Sequence, residues 1–275
     1  MPDKFSFRGK HSVVVGGSTG MGQAAAQLLT SLGSTVAVVD IETPRDHVEF
    51  IKVDLRDKGS INDAVSHISD GPKVDALFSC AGIDQSDHVV TVNFIGQRHL
   101  IEAAVSMGLL PPGSAVAIIA SIAGIGWEAK LPILRMLLEI TDFDEAAQWI
   151  TEHPEHRNYT FSKQMIQAYV GWRAAEFGRI GIRINASGPG PTLTPLMAQH
   201  DAWRAFERTF QSLMGRPGAT ALEQAYPLVF LNSDAASFVS GTTLIVDAGY
   251  TGSGKTGAIE ASLVQQLAPP VLQAP

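Results

Sequence analysis

Short apolar runs alternate along the chain with longer stretches in which apolar positions recur at helical spacing. The runs at residues 12–15, 35–39, 49–53, 76–79, 115–120, 182–186 and 243–246 predict strands. The helical spacing between them predicts helices over 21–32, 57–69, 92–107, 162–177, 202–214 and 221–231. Strands without clear polar alternation, separated by helices, indicate a parallel sheet covered on both faces. The pattern therefore predicts one α/β domain over residues 1–275, doubly wound around a seven-stranded parallel sheet. Two amphipathic helices are expected within 127–150, and an extended tail at the end of the chain. No internal repeat or low-complexity linker divides the chain.

One uncharged stretch, residues 103–127, has the length of a membrane span, but Pro111-Pro112-Gly113 interrupts it. It reads as a helix end, a turn and a buried strand, so no membrane association is expected. Charge adds little: 17% of residues are charged, the net charge is −7, and no dense Lys/Arg block is present, which argues against nucleic acid or anionic lipid as a partner. Cys80 is the only cysteine, which excludes a disulfide framework and a cysteine-based metal cluster; no metal is expected. The start, Met1-Pro-Asp-Lys, lacks the order of a signal peptide, and the expected location is cytoplasmic.

Candidate chemistry begins at Val13-Val-Val-Gly-Gly-Ser-Thr-Gly-Met-Gly22, at the first strand-to-helix junction. Gly16, Gly20 and Gly22 allow a tight turn and let backbone N–H groups approach a pyrophosphate at the helix N-terminus; ordinary turn chemistry is the other reading. Asp40 ends the second strand, where a carboxylate accepts both ribose hydroxyls of NAD and repels a 2′-phosphate. Ser18, Thr19 and Ile41 offer no cation for that phosphate, although Arg45 stands nearby. Asp54 fits two roles equally, an acceptor for an adenine amine or a cap of the following helix.

Tyr159 and Lys163 stand four apart and share a helix face. A free tyrosine has a pKa of about 10, too high for a base at neutral pH; an adjacent ammonium and an oxidised nicotinamide would lower it. Ser121 directly follows the fifth strand, at the sheet edge where open α/β folds bind ligands. Asn93 suits either a proton relay or a helix cap. Ser187-Gly-Pro-Gly-Pro-Thr192 follows the sixth strand as a rigid turn.

Together these residues resemble the short-chain dehydrogenase/reductase family over about residues 10–250, and most closely its bacterial 3α-hydroxysteroid dehydrogenase/carbonyl reductase branch. The resemblance rests on the glycine turn, Asp40, Ser79-Cys-Ala-Gly82, Asn93, Ser121, Tyr159 with Lys163, Pro189-Gly190 and Val246-Asp-Ala-Gly249. It implies a Rossmann-type domain with Tyr159 as general acid/base, Lys163 as its pKa-lowering partner, Ser121 orienting the substrate oxygen and Asn93 completing a catalytic tetrad. It also implies NAD as cofactor, held by Gly16, Ser18, Thr19, Gly20, Met21, Gly22, Asp40, Asp54, Leu55, Ala81, Gly82, Tyr159, Lys163, Pro189, Gly190 and Thr192. The family often has threonine at Val15 and Asn-Asn-Ala-Gly at Ser79–Gly82. Ser121 and Tyr159 also lie farther apart than usual, and an insertion over about 125–156 accounts for the difference. Its stripe of Leu131, Leu134, Leu137 and Leu138 reads as core or interface packing.

Large apolar residues follow the proline-glycine turn, at Leu193, Leu196, Met197, Trp203, Phe206 and Phe210. The resemblance implies that this region forms a substrate lid, and large apolar residues there favour a small hydrophobic alcohol or ketone, steroid- or terpenoid-like, in an NAD-dependent oxidoreductase; simple packing of the lid on the core is the equal alternative. A non-catalytic NAD(H)-binding regulator is the alternative. Family members assemble through the helices at 93–107 and 159–177, so a homodimer or homotetramer is expected, with the insertion obstructing one such interface.

A competing signal lies at Gly249-Tyr-Thr-Gly-Ser-Gly-Lys-Thr256, which matches the phosphate-cradling pattern GxxxxGK[ST]. A triphosphatase places that loop at the start of its sheet, with magnesium-holding acids on later strands. Here only a helix at 256–267 and the tail at 268–275 are expected after it, so the segment reads as a flexible exit from the last strand, within a C-terminal tail of about 250–275. Lys255→Ala is expected to leave hydride transfer largely intact; loss of turnover in a folded variant would contradict this, as would magnesium-dependent phosphate release by the unaltered protein.

Overall fold

The computed structural model describes residues 3–46, 48–198 and 201–259. Its main sheet has seven parallel strands in the order β3-β2-β1-β4-β5-β6-β9. These are β1 (His11–Val15), β2 (Thr35–Asp40), β3 (Glu49–Lys52), β4 (Ala76–Ser79), β5 (Ala115–Ile119), β6 (Arg183–Pro189) and β9 (Thr243–Val246). Every residue of β1, β4 and β5 is buried, as the uninterrupted apolar runs required. A separate parallel pair, β7 (Thr192–Leu193) with β8 (Ala219–Thr220), lies beyond β6.

Helices cover both faces. On one, α1 (Gly20–Ser31) and α9 (Ala221–Asn232) pack over Val14, Val36, Phe78 and Ala117. On the other lie α2 (Lys58–Ser69), α3 (Gln97–Ser106) and α6 (Tyr159–Arg179), over Val13, Leu77, Val116 and Ile184. Strand order reverses between β1 and β4, so the C-terminal ends of those strands open the crevice where such sheets take ligands.

The insertion forms two helices, α4 (Leu131–Glu139) and α5 (Phe143–Glu152). Leu134, Leu137, Leu138, Phe143, Trp149 and Ile150 join the same core as α3 and α6, whereas Leu131 remains 40% exposed. Arg98 of α3, itself buried, donates from Nη1 to the Leu137 carbonyl at 3.1 Å. Lys58 binds Asp142 at 2.7 Å, and Asp142 caps α5 by accepting from the Asp144 and Glu145 amides. That exposed ion pair orients more than it stabilises.

Three expectations need correction. Residues 91–96 form a π-helical turn rather than the start of a regular helix, so Asn93 lies inside a helical turn and does not cap one. Asp57, not Asp54, caps α2, its Oδ1 accepting from the Gly59 and Ser60 amides. The GxxxxGKT letters are not a flexible exit: Tyr250–Thr256 is itself a helix, α10, and buried Tyr250 packs on Phe206 and Phe210. A helix beginning at Tyr250 cannot also be a loop whose amides converge on a phosphate. The remainder of the expected helix and tail, from residue 260 onward, lies outside the described residues. None of the described helices is long and apolar enough to cross a membrane.

Candidate active site

The turn between β1 and α1 is shaped by what its glycines lack. Gly16 and Gly20 have φ of 76° and 58°, the left-handed region that favours glycine. A Cβ on Gly16 would stand 2.3 Å from the Ala81 amide nitrogen, and one on Gly22 would stand 2.0 Å from the Gly16 carbonyl oxygen. The close approach of β1, α1 and the segment after β4 therefore depends on both. Thr19, at the N-cap of α1, makes no side-chain cap bond, so the first-turn amides of that helix keep their donors for a ligand. Backbone bonds tie the turn to its neighbours: Gly16 N donates to Val39 O at 2.8 Å and Cys80 N to Val15 O at 2.7 Å.

A cleft of about 360 Å³ opens here. It is lined by Gly16, Thr19, Gly20, Met21, Gly22, Asp40, Asp54, Leu55, Ala81 and Gly82, ten of the residues expected at a cofactor. Asp40 accepts from the Ser18 amide at 2.9 Å through Oδ2 and from the Glu42 amide at 3.2 Å through Oδ1. Two carboxylate oxygens carry more acceptor sites than these bonds use, so capacity for a diol remains. Ser18 does not line the cleft; its buried hydroxyl donates to the Glu42 carbonyl at 2.5 Å and braces the Asp40 turn. These features fit a dinucleotide: a glycine cradle that a Cβ would fill, uncapped helix amides, and an acid at the ribose end of the cleft.

Arg56 also lines the cleft, a position the sequence reading did not single out. Its guanidinium forks onto Asp54, with Nε at 2.9 Å from Oδ1 and Nη2 at 2.6 Å from Oδ2, and holds that carboxyl below its ordinary pKa. Asp54 is thus neither helix cap nor uncommitted acceptor.

A second, apolar pocket of about 70 Å³ adjoins the first, with Met21, Thr194 and Leu196 lining both. Ser121, Tyr159, Pro189, Gly190 and Thr192 meet there with Ile122, Met197, Trp203 and Phe206. Tyr159 is the first residue of α6, which Asn158 caps by accepting from the Phe161 amide. It lines the pocket together with Ser121, whose hydroxyl accepts from Ala123 N at 3.1 Å. Ser121 is held from α6 as well, where Gln167 Nε2 donates to its carbonyl at 2.7 Å.

Lys163 lies one turn along α6, 3% exposed, with Nζ 5.4 Å from the Tyr159 ring centre and donating to the Ile119 carbonyl at 3.0 Å. A Cβ added to Gly82 would be 3.7 Å from this amine, so Gly82 separates the ammonium from the dinucleotide cleft by little. Asn93 is fully buried; Oδ1 accepts from Ile83 N at 2.8 Å, while Nδ2 donates to Ile83 O at 2.8 Å and to Ser162 Oγ at 3.0 Å. Those bonds make the Asn93 side chain a brace for the loop after β4. Strand four is braced by Gln97, another residue that sequence reasoning missed: its Oε1 accepts from Ser79 Oγ, and its Nε2 donates to Ala81 O at 2.9 Å and Asn93 O at 2.7 Å.

Without a nucleotide, desolvation dominates the electrostatics of this pair. Burial pushes the Tyr159 phenol up to about 12; the neighbouring Ser121 hydroxyl opposes this and the nearby Asp84 carboxylate adds to it. Burial likewise pulls the Lys163 amine down to about 8. Proximity of an amine therefore does not by itself lower the phenol, because the same desolvation disfavours both charges.

Residues 10–131 match the family described as short chain dehydrogenase, and residues 145–251 match one described as Enoyl-(Acyl carrier protein) reductase. The chain is 30% identical over 249 residues to a coniferyl-alcohol dehydrogenase of Pseudomonas sp., covering 87% of this chain and 96% of the relative. It is 31% identical to a 3-alpha-hydroxysteroid dehydrogenase/carbonyl reductase of Comamonas testosteroni, covering 86% and 95%. A solved 3-alpha-hydroxysteroid dehydrogenase from Pseudomonas sp., complexed with NADH, superposes with a TM-score of 0.76 at 28% identity, covering 90% of this chain and 99% of that one. The chain belongs to the short-chain dehydrogenase/reductase family. It is accordingly an oxidoreductase by family, with a nicotinamide cofactor.

The depressed Lys163 pKa couples folding to pH. Between about pH 8 and 10 the unfolded chain holds the lysine proton that the folded protein has released, so this residue makes stability rise with pH across that window. Lys163→Met is expected to increase stability at pH 7 by about 3 kcal/mol and to flatten the rise. Denaturant unfolding at pH 7 and 9.5 checks it; equal pH dependence in variant and parent would contradict it.

Proposed function

We propose that the protein transfers hydride between NAD(H) and a hydrophobic secondary alcohol or ketone, with Tyr159 as general acid/base. The observation that carries this reading is the meeting of Ser121 and Tyr159 in one apolar pocket that shares a wall with the glycine-lined cleft. NAD, when bound, supplies the hydride acceptor and NADH the donor. Tyr159 takes the hydroxyl proton when an alcohol is oxidised and returns it when a ketone is reduced. Ser121 holds the substrate oxygen. Lys163, cationic at pH 7 with its pKa of about 8, stands beside the phenol, where it would reach the nicotinamide ribose rather than the ribose that Asp40 would hold. Asn93 positions the wall at Ile83. Gly16, Gly20, Gly22 and the α1 amides bind the pyrophosphate, and Asp40 the ribose diol, selecting NAD over NADP. Pro189, Gly190 and Thr192 flank the nicotinamide.

The apolar pocket walls support an apolar substrate, and ring-bearing alcohols appear in the names of the two relatives above. Tyr159→Phe is expected to lower alcohol-dependent NADH formation by about two to four orders of magnitude. Fluorescence titration of the same variant should still show NADH binding, tighter than NADPH. Undiminished turnover would refute the base; NADH binding by the parent without turnover of any alcohol or ketone would favour a regulator instead.

For assembly, we propose a homodimer through the β9 edge and α9. Strand β9 pairs only with β6 among the described residues, and Leu222, Tyr226, Leu244 and Ile245 are exposed along this side. The insertion packs on α6 and on the turn before α3, the elements otherwise expected at an interface. Leu244→Lys with Tyr226→Asp should reduce the solution mass by light scattering to that of one chain; an unchanged oligomer would contradict this interface. The single free thiol, Cys80, supports a reducing, cytoplasmic setting.

A further inference from the structure

Trp203 lies on α8 (Asp201–Met214), the helix that closes the apolar pocket, and Asp84 lies in the loop after β4. Trp203 Nε1 donates to Asp84 Oδ2 at 2.8 Å, a contact between residues 119 apart in sequence. Asp84 is only 7% exposed, and a hydrogen bond to a carboxylate removed from water is among the stronger ones a side chain makes. The acceptor is firmly placed, since the adjacent Ile83 is gripped at both its amide and its carbonyl by Asn93. The indole meets the Tyr159 ring edge-on, with centres 6.0 Å apart and planes at 77°, and continues into Phe206 at 6.2 Å.

With the indole there, the pocket holding Tyr159 and Ser121 measures about 70 Å³. Sites for drug-sized ligands run to roughly 300–1,000 Å³. A compact alcohol fits beside Tyr159 while Trp203 stays in place; a fused-ring alcohol does not. We propose that Trp203, held by Asp84, sets the substrate size limit of this site, and that bulky alcohols gain access to Tyr159 only when the Trp203–Asp84 hydrogen bond opens. This rests on the oxidoreductase reading for its kinetics, though not for its binding. Phe206 remains as the second wall on Tyr250, so displacement of the indole widens the pocket without dismantling the lid's own packing.

The test compares isopropanol with decalol, a fused bicyclic secondary alcohol. Trp203→Phe removes the N–H donor but keeps an aromatic ring, and Asp84→Ala removes the acceptor. In both, the ratio of kcat/KM for decalol to that for isopropanol is expected to rise about ten-fold or more, the worth of one hydrogen bond to a charged group. Asp84→Asn retains an oxygen acceptor and should fall between Asp84→Ala and the parent. A merely structural role would lower both substrates together, and NADH titration reports whether the dinucleotide cleft survives. Decalone binding, followed by calorimetry without cofactor, should tighten by a similar factor in Trp203→Phe. If the parent oxidises no alcohol, the enzymatic reading fails, and this binding comparison still decides the size limit. An unchanged kcat/KM ratio, or unchanged decalone affinity, overturns the proposal.

Discussion

The contact on which the site depends is the close approach of the turn after β5 to helix α6. A Cβ on Gly124 would stand 2.5 Å from Gln167 Nε2 and 2.7 Å from the Lys163 carbonyl oxygen, so no larger residue fits without separating them. Because the two elements touch, Gln167 reaches the Ser121 carbonyl and Lys163 reaches that of Ile119. The same contact brings the Ser121 hydroxyl to the Tyr159 phenol and buries the lysine. Packing thus sets the chemistry: it places the groups and shifts their proton affinities at once.

That burial opposes the fold as well as serving it. An amine whose pKa falls to about 8 costs stability at neutral pH, with a single backbone carbonyl as its described hydrogen-bond acceptor. A phenol pushed to about 12 holds its proton firmly until something further stabilises the anion. The protein alone therefore presents the pair in a protonated, poised state. The remaining electrostatic help has to enter with the cofactor cleft that Gly82 leaves close to Lys163.

Much of the architecture was legible because it is local. The apolar runs at Val13–Val15 and Val116–Ile119 needed no partner to be read as buried strands, and a glycine turn between strand and helix carries its own meaning. Position then turned common letters into informative ones: Ser121 at a strand end and Tyr159 with Lys163 on one helix. What stayed hidden was non-local or depended on burial. Gln97 accepts from Ser79 and ties α3 to the end of β4, but only the fold brings the two together. Asp84 and Trp203 meet across 119 residues. Whether Asp54 or Asp57 caps α2 turns on backbone phase, and three residues separate the candidates. The triphosphatase-like letters failed as a loop because Tyr250 is drawn into the lid's aromatic cluster and begins a helix there. Adjacency of Tyr159 and Lys163 could be read from spacing; how strongly burial acts on each in the protein alone could not, since desolvation depends on everything packed around them.

The central claim is that packing, not the neighbouring amine, governs the Tyr159 phenol until nucleotide binds. Ultraviolet difference titration of phenolate, parent minus Tyr159→Phe, measures this directly. The account predicts ionisation near pH 12 in the protein alone and at distinctly lower pH once NAD is added. Ionisation at the ordinary tyrosine value of about 10 without nucleotide, or no change on adding it, would contradict the account.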